Sequence, residues 1–308
     1  MNSNTRLEEM NFVEAINKLK EKKNAVILVH NYQRPEIYRV ADFIGDSYGL
    51  SKKAAETKAN FIVFCGVDFM AESAYILNPE KTVLIPTDLA KCPMAAMVDV
   101  HGLRKLKEQY PEAAVVSYVN TTAEIKAESD ICCTSANAVE VVNSLKRNEV
   151  IFVPDANLAN YVARLTAKKI IPWNGWCYVH NKFTANGLKK AKRSHPGATV
   201  IVHPECVPNV IDLADRVCST TGMVDYVKKS QDEKFIIATE MGIIERLKLE
   251  APSKICLQAP PGGICFQMKR NNLQLVFEAL EKEQHKVTVP EDVRIKAKKA
   301  LDKMLDID

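Results

Sequence analysis

The sequence lacks any apolar run approaching the roughly 20 residues that a membrane-spanning helix needs. Its first residues, MNSNTRLEEM, show neither the basic nor the apolar region of a secretion signal, so we expect a cytoplasmic protein without a membrane partner. Charge of one sign is scarce too, because 42 Lys and Arg face 38 Asp and Glu, and the net charge is +4. The basic residues are scattered among Glu in helical stretches, which indicates solvated helix faces and no nucleic-acid partner.

Low-complexity linkers are also absent, so we expect tightly packed domains. The nine cysteines include no CxxC pair of the kind that structural zinc sites use. An odd number of cysteines in a chain without an export signal argues against a disulfide framework. Free thiols are expected, some of them with a metal or catalytic role. At 308 residues and 47% hydrophobic, the chain can bury one large core or two to three small ones.

One polar skeleton occurs three times in the chain. Residues 30–47 read HNYQRPEIYRVADFIGDS, residues 118–135 read YVNTTAEIKAESDICCTS and residues 203–220 read HPECVPNVIDLADRVCST. An alignment without gaps matches four columns: His30, Tyr118 and His203; Tyr32, Asn120 and Glu205; Asp42, Asp130 and Asp215; Ser47, Ser135 and Thr220.

Strands and helices alternate around each copy of the skeleton. A predicted helix, with Asn11, Asp99 or Thr184 as its N-cap, leads into a short apolar run such as AVILV, and two further apolar runs follow the skeleton. This alternation predicts right-handed βαβ units and parallel sheets. We predict an α/β protein of three tandem domains of about 85 residues: 1–97, 98–182 and 183–279, with tail helices in 280–308 completing the first domain.

The repeated polar residues follow apolar strands, at the strand ends where α/β folds hold their ligands. If three such domains pack about a pseudo-threefold axis, these side chains converge on one central pocket. Packing alone accounts for the repeated strands and helices, and the Asp42, Asp130 and Asp215 column is equally compatible with capping or turn formation.

Each repeat closes on a cysteine: Cys92, Cys177 and Cys265. Three equivalent thiolates without a fourth suit structural zinc poorly. They fit a [4Fe–4S] cluster held by three cysteines with one iron open to substrate. The alternative is that each is a buried, inert thiol. The other six cysteines do not share the symmetry and are expected in the core, with Cys206 beside Glu205 as the first candidate for another role.

Beyond the repeats, the chain contains VHNYQ with DFIGDSYGLS, CPMAAM, SYVNT, TSANA, WNGWCYVH, VHPEC, ST-TG-M and CFQMK. By these motifs, which run through nearly its whole length, the sequence resembles the quinolinate synthases, the A proteins of de novo NAD biosynthesis. The resemblance implies one [4Fe–4S] cluster per chain at the centre of three α/β domains, with Cys92, Cys177 and Cys265 as ligands. It implies condensation of iminoaspartate with dihydroxyacetone phosphate to give quinolinate, phosphate and two waters. Pathway logic adds an L-aspartate oxidase or dehydrogenase as a transient partner.

The resemblance also implies a set of site residues. Proton transfer is assigned to Glu205 with Tyr32, on the expectation that a closed pocket tunes the carboxylate toward a neutral pKa. His30 is expected to donate a proton as phosphate leaves. The substrate site comprises His30, Ser47, Tyr118, Asn120, Ser135, His203, Glu205, Ser219 and Thr220.

Three details stay open. The third repeat reads CSTTGM where the family has a GST run, so either Thr220 or Thr221 can supply the hydroxyl contact. His180 either lines the pocket or orients the cysteine loop. Two other functions fit the repeats: a [4Fe–4S] hydro-lyase acting on a small dicarboxylate without a phosphate site, and a redox sensor or ligand-binding protein without turnover.

Overall fold

Short β-branched runs form the strands of the protein, and the segments between them form helices. The structure is a computed structural model that describes residues 3–307. The strands are β1 Ala25–His30, β2 Phe43–Gly45, β3 Phe61–Cys65, β4 Thr82–Leu84, β5 Ala114–Tyr118, β6 Ile131–Cys133, β7 Glu149–Val153, β8 Lys169–Pro172, β9 Thr199–Val202, β10 Arg216–Val217, β11 Lys234–Ala238 and β12 Ile255–Gln258. The helices are α1 Ser3–Lys23, α2 Pro35–Tyr38, α3 Ser47–Glu56, α4 Asp68–Leu77, α5 Val100–Gln109, α6 Ala123–Ala127, α7 Ala138–Ser144, α8 Ala156–Ala163, α9 Ala185–Ser194, α10 Pro208–Ile211, α11 Thr220–Lys229, α12 Gly242–Glu250, α13 Leu273–Lys282 and α14 Glu291–Leu305.

These strands form three four-stranded sheets with the same topology. Their orders are β2-β1-β3-β4, β6-β5-β7-β8 and β10-β9-β11-β12, and all pairings within them are parallel. The predicted α/β class with three tandem repeats is therefore confirmed. Strands β2 and β10 were not predicted, because their segments, FIG and RV, include a glycine and an arginine and form no apolar run.

The repeated aspartates pin the first strand of each repeat to the loop that returns to the sheet. Each carboxylate accepts the backbone N–H of the residue fifteen positions earlier, which favours the structural interpretation of this column. The three bonds are Ile27 to Asp42 at 2.7 Å, Val115 to Asp130 at 2.8 Å and Val200 to Asp215 at 2.8 Å.

Two of the three predicted helix caps are present. Asp99 accepts the N–H of Gly102 at 2.8 Å, and Thr184 accepts the N–H of Gly187 at 3.1 Å. The cap predicted at Asn11 is wrong, because α1 already begins at Ser3 and Asn11 lies inside it. The upstream segment RLEEM consists of strong helix formers, which extends the helix past the predicted start.

The chain divides into two compact units. Residues 1–92 group with residues 266–291, and residues 93–265 group with residues 292–308. In the first unit α13 packs on α1. In the second, Lys303 of α14 donates to the carbonyl of Asp130 at 2.8 Å. The tail helices thus lie in different units, and the predicted domain boundaries at 97 and 182 remain a prediction.

A short 3₁₀ turn begins three residues after each symmetric cysteine, at Ala95–Met97, His180–Lys182 and Met268–Arg270. Each turn contacts a different repeat from the one that its cysteine closes. Trp173 Nε1 donates to the Met97 carbonyl (2.8 Å), His180 Nε2 lies 2.8 Å from Thr239 Oγ1, and Gln33 Nε2 donates to Met268 Sδ (3.6 Å).

Within residues 3–307, none of the helices combines the length and the apolar character needed to cross a bilayer.

Candidate active site

Glu205 is the centre of a buried polar cluster within the unit of residues 93–265. Its side chain is almost fully buried, and Tyr118 donates to its Oε1 at 2.5 Å. His180 Nδ1 lies 2.6 Å from Glu205 Oε2, and His203 Nδ1 lies 3.9 Å from the same oxygen. The two imidazole rings stack, with centroids 4.4 Å apart. The structure thus brings together three predicted site residues, Tyr118, His203 and Glu205, and adds His180.

The surroundings of Glu205 decide its protonation. Burial raises its pKa, but the charges of His180 and His203 and the hydrogen bonds from His180 and Tyr118 outweigh that effect. The pKa is lowered from the ordinary value of 4.5 to about 2. The expected upward tuning of this carboxylate is therefore wrong, because the sequence did not reveal that two imidazoles flank it. Glu205 is ionised at neutral pH.

Strand ends place these side chains. Tyr118 is the last residue of β5, and His203 follows β9 directly. The turn after β9 lets His203 Nδ1 accept the N–H of Glu205 at 3.3 Å, and the turn after β1 repeats this bond between His30 and Tyr32 at 3.1 Å. In His30, whose Nδ1 accepts this bond, the proton of the neutral ring lies on Nε2.

His180 is the site residue whose role the sequence left open. It is buried, and its two ring nitrogens contact Glu205 and Thr239. These contacts place the ring in the polar cluster. The sequence signal for His180 was its position three residues after Cys177. The 3₁₀ turn that begins at His180 brings its ring into contact with Thr239 of the third repeat.

The predicted hydroxyl residues lie at or near helix starts. Ser47 opens α3, which Asp46 caps by accepting the N–H of Gly49 at 2.9 Å. Thr220 opens α11, which Ser219 caps by accepting the N–H of Gly222 at 3.2 Å. Thr220 is buried and Thr221 is half-buried. Ser135 lies three residues before the first residue of α7, Ala138.

Ser135 and Ser219 line one cavity of about 320 Å³ in the second unit. Tyr161, Pro204 and Cys218 also line it.

Asn120, two residues after the end of β5, carries a buried Oδ1 that accepts no hydrogen bond from residues 3–307. A buried acceptor of this kind is costly unless a ligand supplies the donor.

The first unit holds His30, Tyr32, Ser47 and Cys92. The rings of His30 and Tyr32 meet edge to face, with centroids 4.8 Å apart, and both side chains are buried. Lys269 Nζ donates to the Tyr32 carbonyl, which fixes the turn after β1. The predicted pairing of Tyr32 with Glu205 remains a prediction.

The cysteines fall into two groups. Cys92, Cys177 and Cys265 are half-buried, form no disulfide and lie in loops that follow the last strand of each sheet. Burial raises the pKa of the other six, to about 12 for Cys132 and about 11 for Cys256, which disfavours the thiolate that binds metal. The remaining members of this group are Cys65, Cys133, Cys206 and Cys218. Cys218 and Cys256 are only half-buried, so the expectation of core thiols is wrong for these two.

The donor set fits a thiolate-bound metal centre. Half-buried thiols, one per repeat, are the donors that iron–sulfur clusters use. Around Cys177, the thiol, a ring nitrogen of His180 and a carboxylate oxygen of Glu205 lie within 4.8 Å of one another, a grouping that could hold a metal ion.

Known proteins match the chain over nearly its full length. Residues 14–306 match the family model of the quinolinate synthetase A protein. Quinolinate synthase 1 of Methanosarcina acetivorans is 56% identical over 301 residues, which cover 98% of this chain and 99% of that protein. The quinolinate synthase of Methanoregula boonei is 54% identical over 292 residues, covering 95% and 97%. That of Geobacter sp. strain M21 is 54% identical, covering 95% and 96%. Since these matches span all three repeats, the chain belongs to the quinolinate synthetase A protein family.

Proposed function

We propose that the chain condenses iminoaspartate with dihydroxyacetone phosphate to give quinolinate, phosphate and two waters. Iminoaspartate supplies the nitrogen, two ring carbons and both carboxylates of quinolinate, and the triose supplies the other three ring carbons. The membership of the family and the names of its relatives support this activity.

The buried cluster around Glu205 is the observation that carries the proposal. Conversion of the ketose and closure of an aromatic ring require repeated enolisation, and each enolisation needs a base beside the substrate. Glu205 is ionised and can accept the proton, and His180 Nδ1 lies 2.6 Å from its Oε2, close enough to exchange a proton with it. Tyr118 holds the carboxylate oxygen that is not paired with His180. In the proposal Tyr32 works with Glu205 from the first unit.

The phosphate and the substrate carboxylates need positive sites. The starts of α3 and α11 supply backbone N–H groups and the hydroxyls of Ser47 and Thr220, with Ser135 and Ser219 contributing from the cavity that they share. His30 would donate its Nε2 proton to the departing phosphate. The buried Oδ1 of Asn120 would accept a hydrogen bond from a substrate N–H or O–H.

The proposal includes a [4Fe–4S] cluster, one per chain, with Cys92, Cys177 and Cys265 as its ligands. Their equivalent places in the three repeats and their half-buried thiols, which form no disulfide, support this assignment. When bound, such a cluster supplies a Lewis acid at its open iron for the loss of water. His180 and Glu205 then serve proton transfer and are not permanent metal ligands.

Iminoaspartate must be made by oxidation of the amine of L-aspartate. An oxidase or a dehydrogenase acting on L-aspartate is therefore the class of partner that we propose, with a transient contact because iminoaspartate hydrolyses in water.

Anaerobically purified protein tests the function directly. Iminoaspartate and dihydroxyacetone phosphate together should yield quinolinate and phosphate in equal amounts, from brown protein that absorbs near ~400 nm as clusters of this type do. Dehydration of a small dicarboxylate without release of phosphate would indicate the hydro-lyase. Colourless protein without turnover would indicate a binding protein.

A further inference from the structure

One carboxyl side chain in each repeat accepts a hydrogen bond from the backbone N–H of the symmetric cysteine. The carboxyl residues lie at the ends of β3, β7 and β11, 22 to 25 residues before the cysteines. The bonds are Cys92 N to Asp68 Oδ1 at 3.0 Å, Cys177 N to Asp155 Oδ2 at 3.1 Å and Cys265 N to Glu240 Oε1 at 3.0 Å.

The same carboxyl groups also hold the start of the next helix. Asp155 Oδ1 accepts the N–H of Leu158 at 2.8 Å, and Glu240 Oε2 accepts the N–H of Gly242 at 2.6 Å. In Asp155 and Glu240, one carboxyl oxygen therefore accepts from the helix start and the other accepts from the cysteine loop. In the first repeat Asp68 Oδ1 takes both roles, since it also accepts the N–H of Phe69 at 2.9 Å.

Backbone bonds reinforce the link in all three repeats. At each helix start, one N–H donates to the carbonyl two residues before the cysteine. The distance is 2.8 Å for Asp68 to Ala90, Ala156 to Gly175 and Met241 to Gly263. The cysteine loop is therefore held at two adjacent points.

Burial of the carboxyl groups makes their hydrogen bonds to the cysteine loops hard to replace. Asp155 and Glu240 are fully buried, and a buried carboxyl group must find its hydrogen bonds within the protein. The three repeats reach the same bond with side chains of different length. In the first repeat the carboxyl residue even stands one position later, because Val67 aligns with Asp155 and Glu240. The shared feature is the bond to the cysteine N–H, not the sequence pattern.

We propose that Asp68, Asp155 and Glu240 are positioning residues for the cluster cysteines. Each fixes the loop that presents one thiolate, and each occupies a cysteine N–H that could otherwise donate to a cluster sulfur. Donors to the sulfurs stabilise the reduced cluster, so an occupied N–H keeps the reduction potential low. This inference rests on the proposed ligation by Cys92, Cys177 and Cys265.

Hydrogen exchange on the cluster-free chain tests the contact without the cluster. In Asp155→Ala the amide of Cys177 should exchange about 10-fold faster or more than in the wild type, because its acceptor is gone. Asp155→Asn keeps one acceptor oxygen for two donors, so its rate should be intermediate, and this variant carries the test if the alanine variant does not fold. The matched control is Asp99→Ala, which removes a helix-capping carboxylate that touches no cysteine loop.

Iron retention and potential test the role toward the cluster. Asp155→Asn and Glu240→Gln should lose iron to a chelator about 10-fold faster or more than wild type and Asp99→Ala, and their cluster potential should become more positive. Wild-type exchange, iron loss and potential in these variants would overturn the inference. If Cys177 exchanges faster in Asp155→Ala but the wild-type protein binds no iron, the loop contact is supported and the cluster is refuted. The proposed ligation and the positioning role toward a cluster are then both wrong.

Discussion

Glu205 and Asp130 both belong to columns of the repeated skeleton, yet their surroundings give them different roles. Glu205 is almost fully buried against Tyr118 and two imidazoles, whereas the carboxylate of Asp130 is 43% exposed and pins a strand. Repetition in the sequence marked both residues as special. Their contacts show the difference: Glu205 lies where it can transfer a proton, whereas Asp130 accepts a backbone N–H.

Replacement of Glu205 by Gln should abolish most turnover while the protein stays folded. The amide keeps the size of the side chain but cannot accept a proton, so we expect kcat for quinolinate formation to fall about 100-fold or more. Iron content of the folded variant should stay near wild type, whereas its thermal midpoint should fall, because a carboxylate with a lowered pKa stabilises the fold at neutral pH. Glu108→Gln, at an exposed position of α5, is the control and should keep full activity. Wild-type kcat in Glu205→Gln would remove Glu205 from the mechanism.

At the scale of elements, the hydrogen bond between the first strand of each repeat and the loop that returns to the sheet stabilises the fold. Asp130→Ala leaves the N–H of Val115 in the middle of the second sheet without its side-chain acceptor. We expect a loss of about 1–2 kcal/mol in the free energy of unfolding, measured by urea titration, with kcat of the folded protein unchanged. Asp225→Ala, at an exposed position of α11, should stay within about 0.5 kcal/mol of wild type. A large drop in kcat with unchanged stability would instead assign Asp130 to the site.

Helices α11 and α12 are linked through Glu250. Its carboxylate lies 2.7 Å from Lys228 and 2.7 Å from Arg246. The hydrogen bond from Lys228 lowers the pKa of Glu250 from the ordinary value of 4.5, against the opposing effect of partial burial, and the charges of Arg246 and Lys228 lower it further. A carboxyl group with a lowered folded-state pKa stabilises the fold above its unfolded pKa and loses that effect as the pH falls through the folded pKa.

Glu250→Gln should therefore be less stable than wild type at pH 7, by up to about 1 kcal/mol because the pair is partly exposed. The difference should shrink as the pH falls below 4.5 and disappear once the wild-type carboxylate is protonated. Urea midpoints of both proteins between pH 7 and pH 3 measure this. A difference that does not vary with pH would mean that size or packing, not charge, links the two helices.

At the scale of the whole molecule, internal repetition made the fold predictable. Buried parallel strands appear as short apolar runs, and three copies of the same order of runs fixed the class and the number of sheets. Strands β2 and β10 were not predicted because a glycine in the first and an arginine in the second interrupt the apolar pattern. The start of α1 was misplaced because Asn11 resembles a cap although strong helix formers precede it.

The site was predictable only in part, for a similar reason. The gap-free alignment of the repeats placed His30, Tyr118 and His203 at strand ends. Contacts between different repeats, however, produce no repeated pattern in a single sequence. The approach of His180 to Glu205 is of this kind. Asp68, Asp155 and Glu240 were all missed. Asp68 stands one position out of register with the other two, so the three form no gap-free column although they make the same bond.

Replacement of each of the nine cysteines by Ala should divide them by the symmetry of the whole chain. Cys92→Ala, Cys177→Ala and Cys265→Ala should each lose the cluster, seen as loss of iron and of absorption near ~400 nm after anaerobic reconstitution. The six other variants should keep their iron when folded, since burial raises the pKa of those thiols and disfavours the thiolate. Cys206 is the sharpest case, because it adjoins Glu205 but is buried in the core of the third sheet and donates to the carbonyl of Ala238. Iron loss in a folded Cys206→Ala, or full iron in any one of the three symmetric variants, would contradict ligation by one cysteine from each repeat.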